Sequence, residues 1–277
     1  MHLSGDALEA VLKKYFQMSD TIAWDRYAMF SDLPSTPAPR LTPLQLEAVK
    51  TAFLVEDHIP GYCSEYSRLF PIDASCSPEQ VARNRQILHF VFRWCSEEDR
   101  HAHILELYLK KTGQVDPAEL EAEMIREGVK PYKAPHDDPF QLFTYTVLQE
   151  RATQIFYQSL ARSITDPLLQ EILRKIAQDE ARHCFFFTEI MKQEIAARST
   201  SAIPLLQDTL ARFHMPLADM LENYKRRSIQ MMRAASGYDY RQAFDYFQKV
   251  IKDYAEAATA PTQALWQEFL LALPTTP

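Results

Sequence analysis

The chain has 277 residues and is 47% hydrophobic, enough for a sizeable core in one large or two ordinary domains, and its net charge of -7 argues against a general nucleic-acid binder. Its 5 glycines leave little scope for tight β-hairpins, and no GxGxxG or Walker-type stretch is present. The 4 cysteines lack CxxC spacing, which argues against rubredoxin-like iron, zinc ribbons and disulfides. The opening Met1-His2-Leu3-Ser4-Gly5-Asp6 has no targeting pattern and no window approaches a membrane-spanning apolar run, so a cytoplasmic protein is expected.

In chain order, Leu8, Val11, Leu12, Tyr15 and Met18 fall at helical spacing and predict an amphipathic N-terminal helix. A loop stiffened by Pro34, Pro37, Pro39 and Pro43 follows, with Trp24 before it read as packing. Thr42-Pro43-Leu44-Gln45 is a capping box that predicts a helix from 43 to about 68. Pro60 deprives the Glu56 carbonyl of its helical donor, so a kink is expected one turn beyond that glutamate, with Asp57 and His58 on the surface.

Ser77-Pro78-Glu79-Gln80 opens a helix to Lys111, roughly 50 Å long. Ile87, Val91, Trp94, Glu98, His101, Leu105 and Tyr108 follow one another at steps of three and four, so a carboxylate and an imidazole interrupt an apolar stripe. Such a buried carboxylate requires a partner, a proton or a metal. A short charged helix from Asp116 to Gly128 is expected to be a solvated connector. The next helix, from Asp138 to about Ser163, places Glu150 on a face with Phe143, Val147, Tyr157 and Ala161. Another, from Asp166 to about Ala197, repeats the pattern with Leu173, Ile176, Glu180, His183, Phe187 and Ile190. From Ile203 on, three or four shorter helices are expected, carrying no second constellation.

Two phrases of one form stand out, Glu97-Glu98-Asp99-Arg100-His101 and Asp179-Glu180-Ala181-Arg182-His183. Residues i and i+3 share a helix face, so each phrase aims one carboxylate and one imidazole at the same place. With Glu56 and Glu150 on the partner helices, four inward glutamates and two histidines meet the description of a ferritin-like four-helix bundle, an all-α fold, with a dinuclear carboxylate site. This core covers about residues 43–197, within a single helical domain that adds N-terminal helices and a C-terminal extension over about 203–273. Oxygen and imidazole donors suit iron or manganese, and four ionised glutamates balance two divalent ions. Glu97, Asp179, Arg100 and Arg182 either orient the histidines or form surface ion pairs.

The sequence resembles the soluble acyl-acyl-carrier-protein desaturases, both plant stearoyl-type enzymes and shorter bacterial relatives. The resemblance covers roughly residues 40–195. It rests on Glu56 before Pro60 and Tyr62, on the two repeated phrases, on Gln149-Glu150-Arg151-Ala152-Thr153, and on the connector Thr112-Gly113-Gln114-Val115-Asp116. It implies two irons held by Glu56, Glu98, His101, Glu150, Glu180 and His183, with Glu98 and Glu180 bridging. Thr153 then matches a position beside the oxygen-binding face, and Trp94 with Asp179 an electron-delivery region.

The implied reaction is oxygen-dependent removal of two hydrogens from an acyl chain held by acyl carrier protein, in a homodimer. Two electrons would come from a ferredoxin-like donor, since no flavin or iron-sulfur motif is present. Tyr157 stands where plant members usually have His, and Trp24 lies too far from Leu33-Pro34 to take the family's role. Lys225, Arg226 and Arg227 either meet an acidic carrier or form an ordinary solvated face. Another diiron oxidase, such as a hydroxylase, an amine oxidase or a radical-generating reductase subunit, remains an alternative. So does a non-catalytic iron-binding helical protein.

Overall fold

The computed structural model describes residues 5–31 and 39–273, and among them every regular element is helical. In chain order these are α1 (Gly5–Thr21), α2 (Pro43–Glu56), α3 (Ile59–Leu69), α4 (Pro78–Lys111), α5 (Pro117–Gly128), α6 (Pro139–Ser163) and α7 (Pro167–Arg198). The C-terminal part adds α8 (Ile203–Ala211), α9 (Tyr224–Ala234), α10 (Arg241–Ala257) and α11 (Ala260–Ala272). Pro34, Pro37 and the Leu33-Pro34 pair lie outside the described residues.

One device starts α2, α4, α5, α6 and α7. Thr42, Ser77, Asp116, Asp138 and Asp166 each accept a bond from a first-turn N–H, and a proline fills the first helical position. Proline suits that position because its missing N–H would have had no intrahelical partner. Thr42 with Gln45, and Ser77 with Gln80, complete reciprocal capping boxes.

The bundle consists of α2, α4, α6 and α7, with α6 and α7 packed along much of their length and α4 contacting both α2 and α7. Helix α1 lays Leu8, Val11, Leu12 and Tyr15 against α4 and α7. Helix α9 covers α2, while α10 packs on α6 and α11.

The structure corrects four expectations. Residues 43–68 form two helices rather than one kinked helix. Helix α2 ends at Glu56, Asp57 and His58 turn, and α3 restarts with Pro60 in its first turn. Pro60 cannot donate to the Glu56 carbonyl, and across the break the Tyr62 hydroxyl donates to the neighbouring Val55 carbonyl at 3.0 Å. His58 is buried rather than on the surface, and that burial lowers its pKa.

The connector α5 is docked rather than solvated. Glu123 pairs with Lys50 on α2 at 2.8 Å and with Arg227 on α9 at 2.6 Å. Arg227 is therefore a buried tie, and only Lys225 and Arg226 of the expected basic cluster are exposed.

Candidate metal centre

The six expected ligand residues arrive from four helices at one buried place. Glu56 ends α2, Glu98 and His101 lie on α4, Glu150 on α6, and Glu180 and His183 on α7. All six are buried, both histidines completely. They form two overlapping groups, Glu56-Glu98-His101-Glu180 and Glu98-Glu150-Glu180-His183, whose ligand atoms lie within 4.8 Å of one another. Glu98 and Glu180 belong to both groups. His101 Nδ1 stands 3.4 Å from Glu98 Oε2 and from Glu180 Oε1, and 3.8 Å from Glu56 Oε2. His183 Nδ1 stands 2.9 Å from Glu98 Oε1, 3.5 Å from Glu180 Oε2 and 3.6 Å from Glu150 Oε2.

The outer nitrogens are held crosswise. His101 Nε2–H on α4 donates to Asp179 Oδ2 on α7 at 3.1 Å, and His183 Nε2–H on α7 donates to Glu97 Oε2 on α4 at 2.8 Å. The acid that opens each repeated phrase thus serves the histidine that closes the other. An ionised carboxylate only accepts, so it fixes the proton on Nε2 and turns the Nδ1 lone pair toward the four glutamates. The surface ion-pair reading of Glu97, Asp179 and Arg182 is overturned, since each is at most 3% exposed. Arg182 lies between the two acids, 2.7 Å from Asp179 Oδ1 and 3.3 Å from Glu97 Oε2.

Burial alone would raise the Glu97 carboxyl, but His183 and Arg182 hold it down to about 2. Asp179 is likewise held below the usual carboxylate range, against burial, by His101, Arg182 and Arg100. Glu56 and Glu150 go the other way, pushed up by burial and then by the Glu98 and Glu180 carboxylates respectively. Burial disfavours charge on both imidazoles, yet the surrounding acids raise His101 and His183 well above ordinary histidine.

The donor set passes a test for two hard divalent cations. Nδ1 of both histidines, Glu150 Oε1 and Glu180 Oε1 are buried without hydrogen-bond partners, and all of them face the site. Oxygen and imidazole donors without thiolate suit iron or manganese.

Three further groups surround the centre. Trp24 Nε1–H donates to Asp179 Oδ2 at 2.9 Å, and its ring lies parallel to His101 with centroids 6.5 Å apart. Arg100 caps the same indole at 4.6 Å and pairs with Asp179 at 2.7 Å. Trp24, read from sequence as packing, therefore also bonds Asp179 directly. Trp94 instead meets His183 edge-on at 6.4 Å and lines a cavity.

Tyr15 and Ser19 of α1 donate to Glu97, and Tyr157 donates to Glu56. Periodicity alone did not mark these partners. The one available signal for α1 was two polar groups, Tyr15 and Ser19, spaced four apart on its buried face.

A cavity of about 300 Å³ opens from the centre. Glu56, Glu98, Glu150 and Glu180 line its inner end together with Thr153, Tyr157 and Trp94. The remaining wall is mostly apolar and comes largely from the C-terminal part, including Phe213, Met215, Met231, Met232 and Tyr238. The C-terminal extension thus supplies cavity wall.

The sequence model described as fatty acid desaturase matches residues 38–259. The chain belongs to the fatty acid desaturase family. Among relatives, DesA1 of Mycobacterium tuberculosis, whose name assigns it provisionally to the acyl-[acyl-carrier-protein] desaturases, is 25% identical over 260 residues, 86% of this chain and 73% of that protein. The chloroplastic stearoyl-[acyl-carrier-protein] 9-desaturase 6 of Arabidopsis thaliana is 32% identical over 165 residues, 57% of this chain and 41% of the plant protein. The X-ray structure of DesA2 from Mycobacterium tuberculosis shares the fold, with a TM-score of 0.64 at 20% identity over 95% of this chain and 97% of that one. Among the described residues of this family member, no helix is long and apolar enough to cross a membrane.

Proposed function

We propose that this family member is an oxygen-dependent desaturase acting on an acyl chain tethered to acyl carrier protein. The observation that carries the reading is the pair of overlapping carboxylate-histidine groups opening directly onto a mostly apolar cavity. The relatives named as acyl-acyl-carrier-protein desaturases support the substrate.

Two irons held by Glu56, Glu98, His101, Glu150, Glu180 and His183, with Glu98 and Glu180 shared between them, would supply the oxidising power to break two unactivated C–H bonds. The balance is one saturated chain, O2, two electrons and two protons giving one alkene and two waters.

The chain's own residues do the rest. Asp179 and Glu97 keep His101 and His183 in one tautomer and one orientation. Tyr157 fixes one carboxylate oxygen of Glu56, leaving the other toward His101. Thr153 and Trp94 border the inner cavity, where the wall keeps water from the reacting carbons.

Electrons from an external donor of the ferredoxin class have a continuous route through the partly exposed Trp24, Asp179 and His101. A cytoplasmic homodimer completes the reading on the family resemblance.

The test is a single turnover with iron-loaded, chemically reduced protein and an acyl-acyl-carrier-protein series. A product lighter by two hydrogens is expected. A product heavier by one oxygen would overturn desaturation, and iron oxidation with no change in any acyl chain would overturn the enzymatic reading.

A further inference from the structure

We propose that Cys63 and Cys95 form a redox-active dithiol that a hydroperoxide converts to an intrachain disulfide behind the wall of the cavity. Cys63 on α3 and Cys95 on α4 sit with their sulfurs 2.8 Å apart, only about 0.8 Å longer than a disulfide bond. The other two thiols are placed differently. Cys76 contacts the Pro71 carbonyl at 3.4 Å, and Cys184 the Val147 carbonyl at 3.8 Å. Neither has a sulfur neighbour among the described contacts.

The two members of the pair differ in the way such chemistry needs. Cys63 is partly exposed, so a small oxidant can reach it, whereas Cys95 is buried at 6% exposure. The contact between the sulfurs lowers the more exposed Cys63 thiol, while burial and the same contact raise Cys95. Cys63 is therefore the nucleophile and Cys95 the resolving thiol.

The reaction balances with a peroxide as its only co-reactant. The Cys63 thiolate attacks one peroxide oxygen, the O–O bond breaks, and the departing oxygen leaves as an alcohol or water after taking a proton. Cys95 then attacks the Cys63 sulfur, expelling water and closing the disulfide. The two sulfurs together lose two electrons, and the peroxide gains them.

The position gives the bond a structural consequence. Each cysteine follows a residue of the cavity wall, Tyr62 and Trp94, whose rings lie 6.2 Å apart. Cys95 also lies one helical turn before Glu98. Oxidation would pin α3, the helix that restarts after the Glu56 break, to the helix carrying Glu98 and His101. This inference stands on the two thiols and does not depend on the reaction proposed for the metal centre.

The test treats the reduced full-length chain with hydrogen peroxide, then alkylates it under denaturing conditions and measures intact mass and linked peptides. Loss of two of the 4 thiols is expected, with a decrease of two hydrogens, a Cys63 peptide joined to a Cys95 peptide, and reversal by dithiothreitol. The melting temperature should rise by several degrees on oxidation. A Cys76→Ser, Cys184→Ser double variant should react in the same way, and Cys63→Ser should not. Oxygen addition at Cys63 without a crosslink, a link to Cys76 or Cys184, or four free thiols after excess peroxide would each overturn the proposal.

Discussion

Glu97 and Asp179 do more for this site than their exposure-neutral place in the sequence suggests. Each removes ambiguity from a histidine on the opposite helix, and each is held ionised by Arg182. Glu97→Gln keeps the shape but loses the charge that polarises His183, so iron affinity should fall about 10- to 100-fold in a chelator-competition assay, with His101 still bound to Asp179.

Trp24→Phe separates electron delivery from chemistry. It keeps an aromatic ring over His101 but removes the N–H to Asp179. Steady-state turnover with a protein donor should fall about tenfold or more, while single turnover of chemically reduced enzyme is spared; equal losses in both assays would show that Trp24 serves only structure.

Asp57, at the turn after α2, is pushed up from 3.8 to about 6 by burial and by the Glu106 and Asp99 carboxylates. For an acid whose folded value is raised, the folded state holds its proton more tightly, so ionisation above about pH 6 costs stability. Asp57→Asn should therefore raise the melting temperature by about 2 °C at pH 7.5, discounted for partial exposure, with the gain fading as pH falls from 6 toward 4.

At the scale of elements, the break between α2 and α3 is set by Pro60, and its packing depends on one close approach. A Cβ on Gly61 would meet Tyr132 Cβ at 2.7 Å, and Tyr132 in turn stands edge-on to Tyr62 at 4.7 Å. The glycine is what lets the segment after α5 lie against α3.

The α5–α9 tie is the other joint of this kind. Arg227 bonds Glu123 at 2.6 Å and also donates to the Glu222 carbonyl at 2.9 Å, so it holds the roof helix to the bundle. Arg227→Met leaves Glu123 with Lys50 alone and should cost about 2 kcal/mol in chemical denaturation. Because α9 contributes Met231 and Met232 to the cavity, that variant should also relax selectivity among acyl chain lengths.

At the scale of the whole molecule, a cluster of four buried glutamates opposes folding unless positive charge accompanies it. On the proposed reading, removing the metal with a chelator should lower the melting temperature by at least 5 °C and make it dependent on metal concentration, as calorimetry can show. The same charge balance explains how much of the site was legible. The two Glu-x-x-His phrases announced themselves because helical periodicity placed a carboxylate and an imidazole on apolar stripes. Glu150 followed because it interrupted a comparable stripe, and Glu56 from its place one turn before Pro60 on the partner helix.

The partners of those residues were not legible in the same way. Glu97 and Asp179 sit one position from a ligand residue and point about 100° away around the helix, where periodicity marks a boundary but names no neighbour. Trp24, Tyr15, Ser19 and Tyr157 reach the centre across gaps of 78 to 155 residues, which depend on how whole helices pack. His58 and Arg227 belong to residue types that usually lie on the surface, and tertiary contacts override that tendency.

By itself, then, the sequence determined the all-α class, the starts of α2, α4, α5, α6 and α7 and the six inward carboxylate and imidazole groups, because capping and periodicity are local properties of the chain. Only the tertiary structure decided that each phrase's acid serves the other phrase's histidine, that Trp24 rather than Trp94 stands beside Asp179, and that the C-terminal helices wall the cavity. Those outcomes depend on distances between elements, and the rotation of one helix against another is set by packing that no single stretch of chain encodes.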